Sequence, residues 1–212
     1  MLTEDKDIRY TLDGNEPTVT SQIYRSQIPI SKSLELKAAV FNAKEQLGQP
    51  FIQNINFHKA VGEKITIDKM PHKAYSGSGA EGLTNGINGS DSRYGDKEWL
   101  GFWGQDIIIT INFSKPKEIN SISTRFHNGN GQWIYAPEEI GFSFKLQEDG
   151  RTLNDINRIK NNGGIIVNHS YKMEPAFVSQ IEIVVKNYGE IPEGKQGAGN
   201  NAWTFIDEII VN

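Results

Sequence analysis

Five side chains between positions 103 and 133 could together bind a sugar. A sugar ring presents a C–H face that packs against an aromatic ring, and hydroxyls that bond to planar polar groups. Arg125 and His127 stand two residues apart in a predicted strand, so they project to the same side. Trp103 and Trp133 lie in or near predicted loops, and Asn128 adds an amide. We therefore predict these five residues as carbohydrate contacts.

Some of these aromatic and polar residues have a second interpretation. Trp133 stands just before a predicted strand and could serve packing instead, and His127 could be an ordinary polar surface residue. Trp99 and Trp203 are predicted as core residues rather than ligand contacts. The pattern alone leaves these alternatives open.

Catalysis by this chain is not predicted. The Asp207-Glu208 pair lies in a terminal predicted strand, where neighbouring residues point to opposite faces and do not converge on one substrate. The four histidines are scattered without the spacing of a metal site. No Ser/His/Asp order, metalloprotease motif or phosphate loop is present.

Composition narrows the classes of partner. The net charge of −4 and the absence of a clustered basic face argue against nucleic acid. The longest apolar stretch, near Ile107–Ile111, is far too short to span a bilayer, so membrane insertion is not expected. Cysteine is absent, which excludes disulfides and thiolate ligands.

Hydrophobic residues alternate with polar ones almost throughout the chain. The clearest run is Ile107, Ile109, Ile111 and Phe113, and such period-two patterns predict half-buried strands. Gly- and Asn-rich turns divide these strands, which favours an all-β chain of antiparallel sandwiches. One short helix is predicted over Leu153–Ile159. A boundary is predicted near 58–62.

The first 60 residues resemble a known small domain. The run Ile8–Thr18, reading IRYTLDGNEPT, is followed by Tyr24, then Pro29-Ile30, then Lys37-Ala38. This series resembles the C-terminal domain of chitobiases and β-hexosaminidases. The resemblance implies an immunoglobulin-like sandwich over 1–60 that packs beside the catalytic domain of a parent glycosidase. It also implies that the natural chain continues upstream, with Met1 an artificial or unusual start.

Residues 61–212 resemble a second family. The residues that carry the resemblance are Tyr75–Ser90, Trp99–Gly104, Phe113–Pro116, Trp133–Pro137 and Ala202–Ile209. In this order they are similar to the discoidin fold, and most of all to family 32 carbohydrate-binding modules of bacterial glycosidases. The resemblance implies an eight-stranded jelly roll that binds hexose or N-acetylhexosamine termini at its loop tips.

The same resemblance implies a structural calcium ion beneath the loop 83–91. Carried over to this sequence, the ligands are Leu83, Asn85, Asn88, Asp91, Ala202 and Glu208, with Leu83 and Ala202 acting through backbone carbonyls. Calcium prefers six to eight oxygen ligands of these kinds. The family usually has Asp at the position of Asn85, which weakens the expected site. The alternative is a Gly/Asn-rich loop held by its own hydrogen bonds.

Three functions follow from these resemblances. The first is a non-catalytic accessory region that binds glycan and targets a parent β-N-acetylhexosaminidase-like enzyme, secreted, periplasmic or on the outer surface of a bacterium. The second is a structural appendage that braces the catalytic domain and binds nothing. The third is a discoidin-type binder of protein or lipid, against which the acidic charge balance weighs for anionic lipid.

Overall fold

The computed structural model describes residues 6–42 and 45–212. The chain separates into two compact units, Met1–His58 and Lys59–Asn212. Both units are built from antiparallel strands, and only short 3₁₀ helices accompany them in the described residues. The all-β prediction is confirmed. The segment before Lys6, on which the predicted upstream continuation depends, lies outside the described residues.

The described part of the first unit is one four-stranded antiparallel sheet. Its strands in chain order are β1 (Lys6–Thr11), β2 (Gln22–Ile23), β3 (Leu34–Asn42) and β4 (Glu45–Ile55), and they lie side by side as β2-β1-β3-β4. The loop after β1 is closed by Asp13, whose carboxylate accepts from the N–H of Asn15 at 3.1 Å. Gly14 takes the left-handed φ of 77° that this turn needs.

The second unit contains seven strands in the described residues. They are β5 (Lys64–Ile67), β6 (Leu100–Trp103), β7 (Ile107–His127), β8 (Glu139–Leu146), β9 (Thr152–Arg158), β10 (Ile166–Val185) and β11 (Trp203–Val211). The order across the sheet is β6-β11-β7-β10-β8-β9, and β5 pairs with β7.

The long strands β7 and β10 pass through both layers of a sandwich. Early in β7, Ile109 pairs with Ile67 of β5 and Ile183 of β10, while late in β7 Phe126 pairs with Val167 of β10 and Ile206 of β11. Between these regions the β7–β10 register shifts at irregularities, which bend paired strands. Residues from both halves of β7 share one buried hydrophobic cluster, as in two stacked β layers.

The predicted helix over Leu153–Ile159 is wrong. Residues Thr152–Arg158 form β9, which pairs along its length with β8. Three apolar residues spaced by three fit one helix face, but in a strand Leu153 and Ile156 point to opposite sides. Both are exposed, Leu153 at 44% and Ile156 at 70%, in an edge strand with little buried surface.

No helix in the described residues is long and apolar enough to cross a membrane.

Candidate functional site

Three tryptophans come together at one end of the second unit. Trp103 ends β6 and Trp203 begins β11, and the two residues are directly paired across the antiparallel ladder, with ring centroids 4.8 Å apart. The Trp133 ring lies 6.3 Å from that of Trp103 at an interplanar angle of 38°. We call Trp103, Trp133 and Trp203 the tryptophan face.

Two members of the tryptophan face are open to solvent. Trp103 is 37% exposed and Trp133 is 38% exposed, whereas Trp203 is partly buried between them and the core. The ring of Trp203 packs edge-on against Tyr75 at 5.3 Å. Two neighbouring exposed aromatic rings offer the flat apolar surface that a sugar ring requires.

The backbone holds Trp133 in an unusual conformation. Its φ is 63° and ψ is 22°, and it is the one non-glycine residue with positive φ in residues 6–42 and 45–212. Bulky residues rarely adopt this left-handed region, and such strain is concentrated at functional sites. The N–H of Trp133 donates to the carbonyl of Asn130 at 3.0 Å. The strained turn aims the indole outward.

Gly197 lies against the indole of Trp133. A Cβ at this position would come within 2.4 Å of Cδ1 of Trp133, so only glycine permits the contact. The loop that carries Gly197 is itself tied down, because the N–H of Ile191 donates to Asn200 at 2.8 Å and Tyr135 Oη donates to the carbonyl of Gln196 at 2.9 Å. The ring of Trp133 is therefore positioned before any ligand arrives.

Two polar residues near the tryptophan face were not predicted from the sequence. His72 is exposed, and its ring lies edge-on to Trp203 at 5.3 Å. Its Nδ1 accepts from the N–H of Ala74 at 3.2 Å, which makes Nε2 the donor of the neutral ring. Asn201 is exposed and its Cβ faces Gly104. Asn201 could have been found, since it stands two residues before Trp203; His72 carries no comparable signal.

Arg125 has interior partners, which do not favour a sugar contact, and its predicted role as one stays a prediction. Its side chain is only 10% exposed, and Nη1 donates to Oδ2 of Asp207 at 2.6 Å. Nη2 donates to the carboxylate of Asp91, and the guanidinium lies 5.7 Å from the ring of Trp99. The segment that contains Trp99 covers this side of β7, so the guanidinium is used to hold the fold together.

His127 and Asn128 are also buried, and their predicted role as sugar contacts likewise stays a prediction that the burial does not favour. His127 does share its side of β7 with Arg125, and its ring lies edge-on to Trp99 at 5.4 Å. Burial lowers the pKa of His127, which keeps the imidazole neutral. Asn128 Oδ1 accepts from the N–H of Ala136 at 3.2 Å and from Asn130 at 3.1 Å. Asn128 thus supports the loop that carries Trp133.

The Asp207-Glu208 pair anchors a loop. Asp207 Oδ2 accepts from the N–H of Gly89 at 2.7 Å, and Glu208 Oε1 accepts from the N–H of Gly86 at 3.1 Å. Both acidic residues are fully buried. Burial raises the pKa of Asp207 to about 7, although Arg125 and the N–H of Gly89 act in the opposite direction.

Several of the predicted calcium ligands have partners within the protein. Asn85 Oδ1 accepts from the N–H of Ile87 at 2.7 Å, and Asp91 is paired with Arg125. The carbonyl of Ala202 accepts from Gly104 at 3.1 Å, Asn88 is exposed, and Leu83 is fully buried. In the described part of the chain, no three His, Cys, Asp or Glu residues cluster as metal ligands. The geometry favours the loop held by its own hydrogen bonds, while calcium binding stays a prediction.

Trp99 and Trp203 were predicted as core residues. Trp99 is completely buried, and its Nε1 donates to the carbonyl of Ser90 at 3.1 Å. Trp203 is only partly buried and joins Trp103 on the tryptophan face. The distinction follows from position, because Trp99 lies under the loop 85–91 while Trp203 begins the strand that pairs with β6.

Comparison with known proteins supports the resemblance of the first unit. Residues 1–51 match the family model of the chitobiase/β-hexosaminidase C-terminal domain. The resemblance predicted for this part of the chain is confirmed. No curated protein matches the chain.

The chain is also similar to solved lectin and carbohydrate-binding structures. They include the lectin domain of lectinolysin complexed with Lewis B antigen, with 13% identity, 74% of this chain and 96% of that chain covered, and a TM-score of 0.45. The family 32 carbohydrate-binding module from Streptococcus pneumoniae EndoD is 13% identical, and the match covers 74% of this chain and 99% of that chain with a TM-score of 0.47. A third is CpGH89CBM32-5 from Clostridium perfringens, in complex with GalNAc-β-1,3-galactose. It is 11% identical, and the match covers 72% of this chain and 96% of that chain with a TM-score of 0.46. At these identities no ligand is carried over to this chain.

Proposed function

We propose that the second unit binds glycan on the tryptophan face. The observation that carries this proposal is the pair of exposed indoles of Trp103 and Trp133, held 6.3 Å apart on a backbone that is ordered around them. The C–H face of a hexose or N-acetylhexosamine packs on these rings.

Polar groups at the edge of the tryptophan face would orient the sugar. Nε2 of His72 donates to a ring hydroxyl, and the amide of Asn201 both donates and accepts. The nearby cation Arg125 is already neutralised by Asp91 and Asp207. We propose a neutral sugar as the ligand, because the residues assigned here to contact it are two indoles, a neutral imidazole and an amide.

The role proposed for the whole chain is that of an accessory region without a catalytic site of its own. The match of residues 1–51 to the chitobiase/β-hexosaminidase C-terminal domain supports a parent enzyme of the β-N-acetylhexosaminidase type. Glycan binding by the second unit would hold that enzyme at its polymeric substrate. Such an enzyme works outside the bacterial cell, and we propose the same location for this chain.

A structural bracing role is the second candidate, and the first unit favours it. One side of its sheet forms an apolar concavity lined by residues including Ile8, Tyr24, Leu36 and Phe51, of which Phe51 is 59% exposed. This surface suits burial against the catalytic domain of the parent chain. Bracing by the first unit and glycan binding by the second are compatible. Deletion of residues 1–58 from the parent should lower its melting temperature if the first unit braces it, and should leave glycan binding by the second unit in place.

An array of immobilised glycans tests the binding function. The wild-type chain is expected to bind glycans that end in a neutral hexose or N-acetylhexosamine, and Trp103→Ala is expected to lose the same signals. Phe177→Ala is the matched control, because Phe177 is also an exposed aromatic of the second unit but lies on β10. Equal signals from Trp103→Ala and Phe177→Ala would contradict the proposed site.

A further inference from the structure

A separate cleft lies beside the loop that carries Trp133. Its volume is about 390 Å³, within the range of small-molecule sites. Residues lining it include Asn130, Glu138, Asn161, Tyr188, Lys195 and Gln196. None of these belongs to the tryptophan face.

Two stacked tyrosines form a rigid wall of this cleft. The rings of Tyr135 and Tyr188 lie 4.8 Å apart at an interplanar angle of 27°. Tyr135 is buried, and its hydroxyl is fixed on the carbonyl of Gln196 at 2.9 Å. Tyr188 is partly exposed. The wall is therefore set before a ligand binds, which reduces the entropy lost on binding.

Lys195 presents a positioned ammonium group in the cleft. Its Nζ lies 5.0 Å from the ring centroid of Tyr188 and 5.9 Å from that of Tyr135, within the range of cation–π attraction. One of its protons is donated to the hydroxyl of Tyr188, and two remain for other acceptors. Such a lysine loses less side-chain freedom on binding than a mobile surface lysine.

Glu138 supplies the opposite charge in the same cleft. It is exposed and acts on Lys195 through space, yet the two groups form no ion pair within 4.0 Å in the described residues. The separated charges leave a donor and an acceptor facing the same volume. A charged ligand would meet one attractive and one repulsive group here, so the pair gives no net preference for either sign, whereas neutral hydroxyls can bond to both groups.

We propose that this cleft is a second sugar subsite, which binds a neutral hexose unit through two adjacent hydroxyls. One hydroxyl accepts from the ammonium of Lys195, and its neighbour donates to the carboxylate of Glu138. Hydrogen bonds to charged groups contribute more than neutral ones. The amide of Gln196, which lines the same cleft, is placed for further hydroxyl contacts.

The subsite and the tryptophan face share their supporting segments. Gln196 of the cleft is next to Gly197, which touches the indole of Trp133. Asn130 of the cleft donates to the carbonyl of Ile134 at 3.1 Å, immediately after Trp133. The proposal is that one oligosaccharide contacts both surfaces. This inference rests on the proposed function and deepens it, because it makes the ligand an oligosaccharide of at least two units instead of a single terminal sugar.

Calorimetric titration against sugars of increasing length tests the subsite. The probes are N-acetylglucosamine with its β-1,4-linked oligomers of two to four units, and galactose with lactose and N-acetyllactosamine. The wild-type chain is expected to bind one series at least tenfold more tightly as oligosaccharide than as monosaccharide. Lys195→Met and Glu138→Gln should each remove that tenfold gain and leave monosaccharide affinity unchanged.

Matched controls and outcomes separate this inference from the proposed function. Lys172→Met and Glu174→Gln change exposed residues of the same types on β10 and should keep the full gain. Glu138→Gln preserves shape, so it remains informative if Lys195→Met proves unstable. The subsite would be overturned if affinity did not depend on oligosaccharide length, or if Lys195→Met and Glu138→Gln kept the tenfold gain. In either case, binding of the monosaccharide would still support the tryptophan face. Binding of neither series would overturn both.

Discussion

Replacing Arg125 with methionine removes the cation that lies between Asp91 and Asp207. Methionine keeps most of the apolar stem that packs near Trp99 but leaves the carboxylate of Asp207 buried without its partner. We expect a large loss of stability in the second unit, because the buried carboxyl of Asp207 loses its donor and must either stay ionised without a partner or take up a proton, Arg125 being a group that lowers its pKa.

The burial of the two ion pairs sets the magnitude. Breaking a buried pair by removing one partner costs about 3–5 kcal/mol, and Asp207 is fully buried. Asp91 is 78% exposed, so the second pair adds no more than about 1 kcal/mol. Arg125→Met combined with Asp207→Asn should recover part of this loss, because no buried charge is then left unpaired.

Urea denaturation at pH 7, followed by tryptophan fluorescence, measures this effect. All four tryptophans lie in residues 59–212, so the signal reports the second unit alone. Arg158→Met is the control, since Arg158 is an exposed arginine of β9, and its expected effect is within about 0.5 kcal/mol. A loss for Arg125→Met no greater than that of the control would refute the supporting role of Arg125.

Three further predictions follow from the same geometry. Because the pKa of Asp207 is raised to about 7, the free energy of unfolding should fall as pH rises from about 4 to 7. Urea denaturation of wild type and Asp207→Asn at pH 5 and 8 isolates this effect, because both proteins contain His127 and His169. Gly197→Ala should lower the melting temperature and weaken glycan binding at least tenfold in calorimetry, since its φ of 89° and its contact with Trp133 exclude a Cβ; unchanged binding would contradict the pre-positioned indole. Exchange of calcium for chelator should leave the melting temperature unchanged in scanning calorimetry, because protein groups already occupy several predicted ligand oxygens, and a rise with calcium would favour the metal site instead.

Local patterns were sufficient to predict many of the strands. Alternation from Ile107 to Phe113 predicted a strand that forms the start of β7. The prediction for Leu153–Ile159 failed because three apolar residues at a spacing of three fit a helix, and the pairing partner that makes them a strand is a different segment. Pairing between segments is not visible in a local pattern.

The candidate site was predicted only in part, for a similar reason. Trp103 and Trp133 could be predicted as loop aromatics, and the structure brings them together. The alternation of β7 correctly placed Arg125 and His127 on one side, but it could not show that the segment containing Trp99 covers that side. Whether a polar residue of β7 lies on the surface or supports the fold therefore depends on a segment that is distant in sequence.

Isothermal titration of the chain with the glycan that binds best on the array tests the central claim most directly. Wild type is expected to bind with a heat that saturates at one glycan per chain, and Trp103→Ala combined with Trp133→Ala should abolish that heat while the unfolding midpoint stays near that of wild type. If no glycan gives a saturable heat, or if the double variant binds as tightly as wild type, the tryptophan face is not a glycan-binding site.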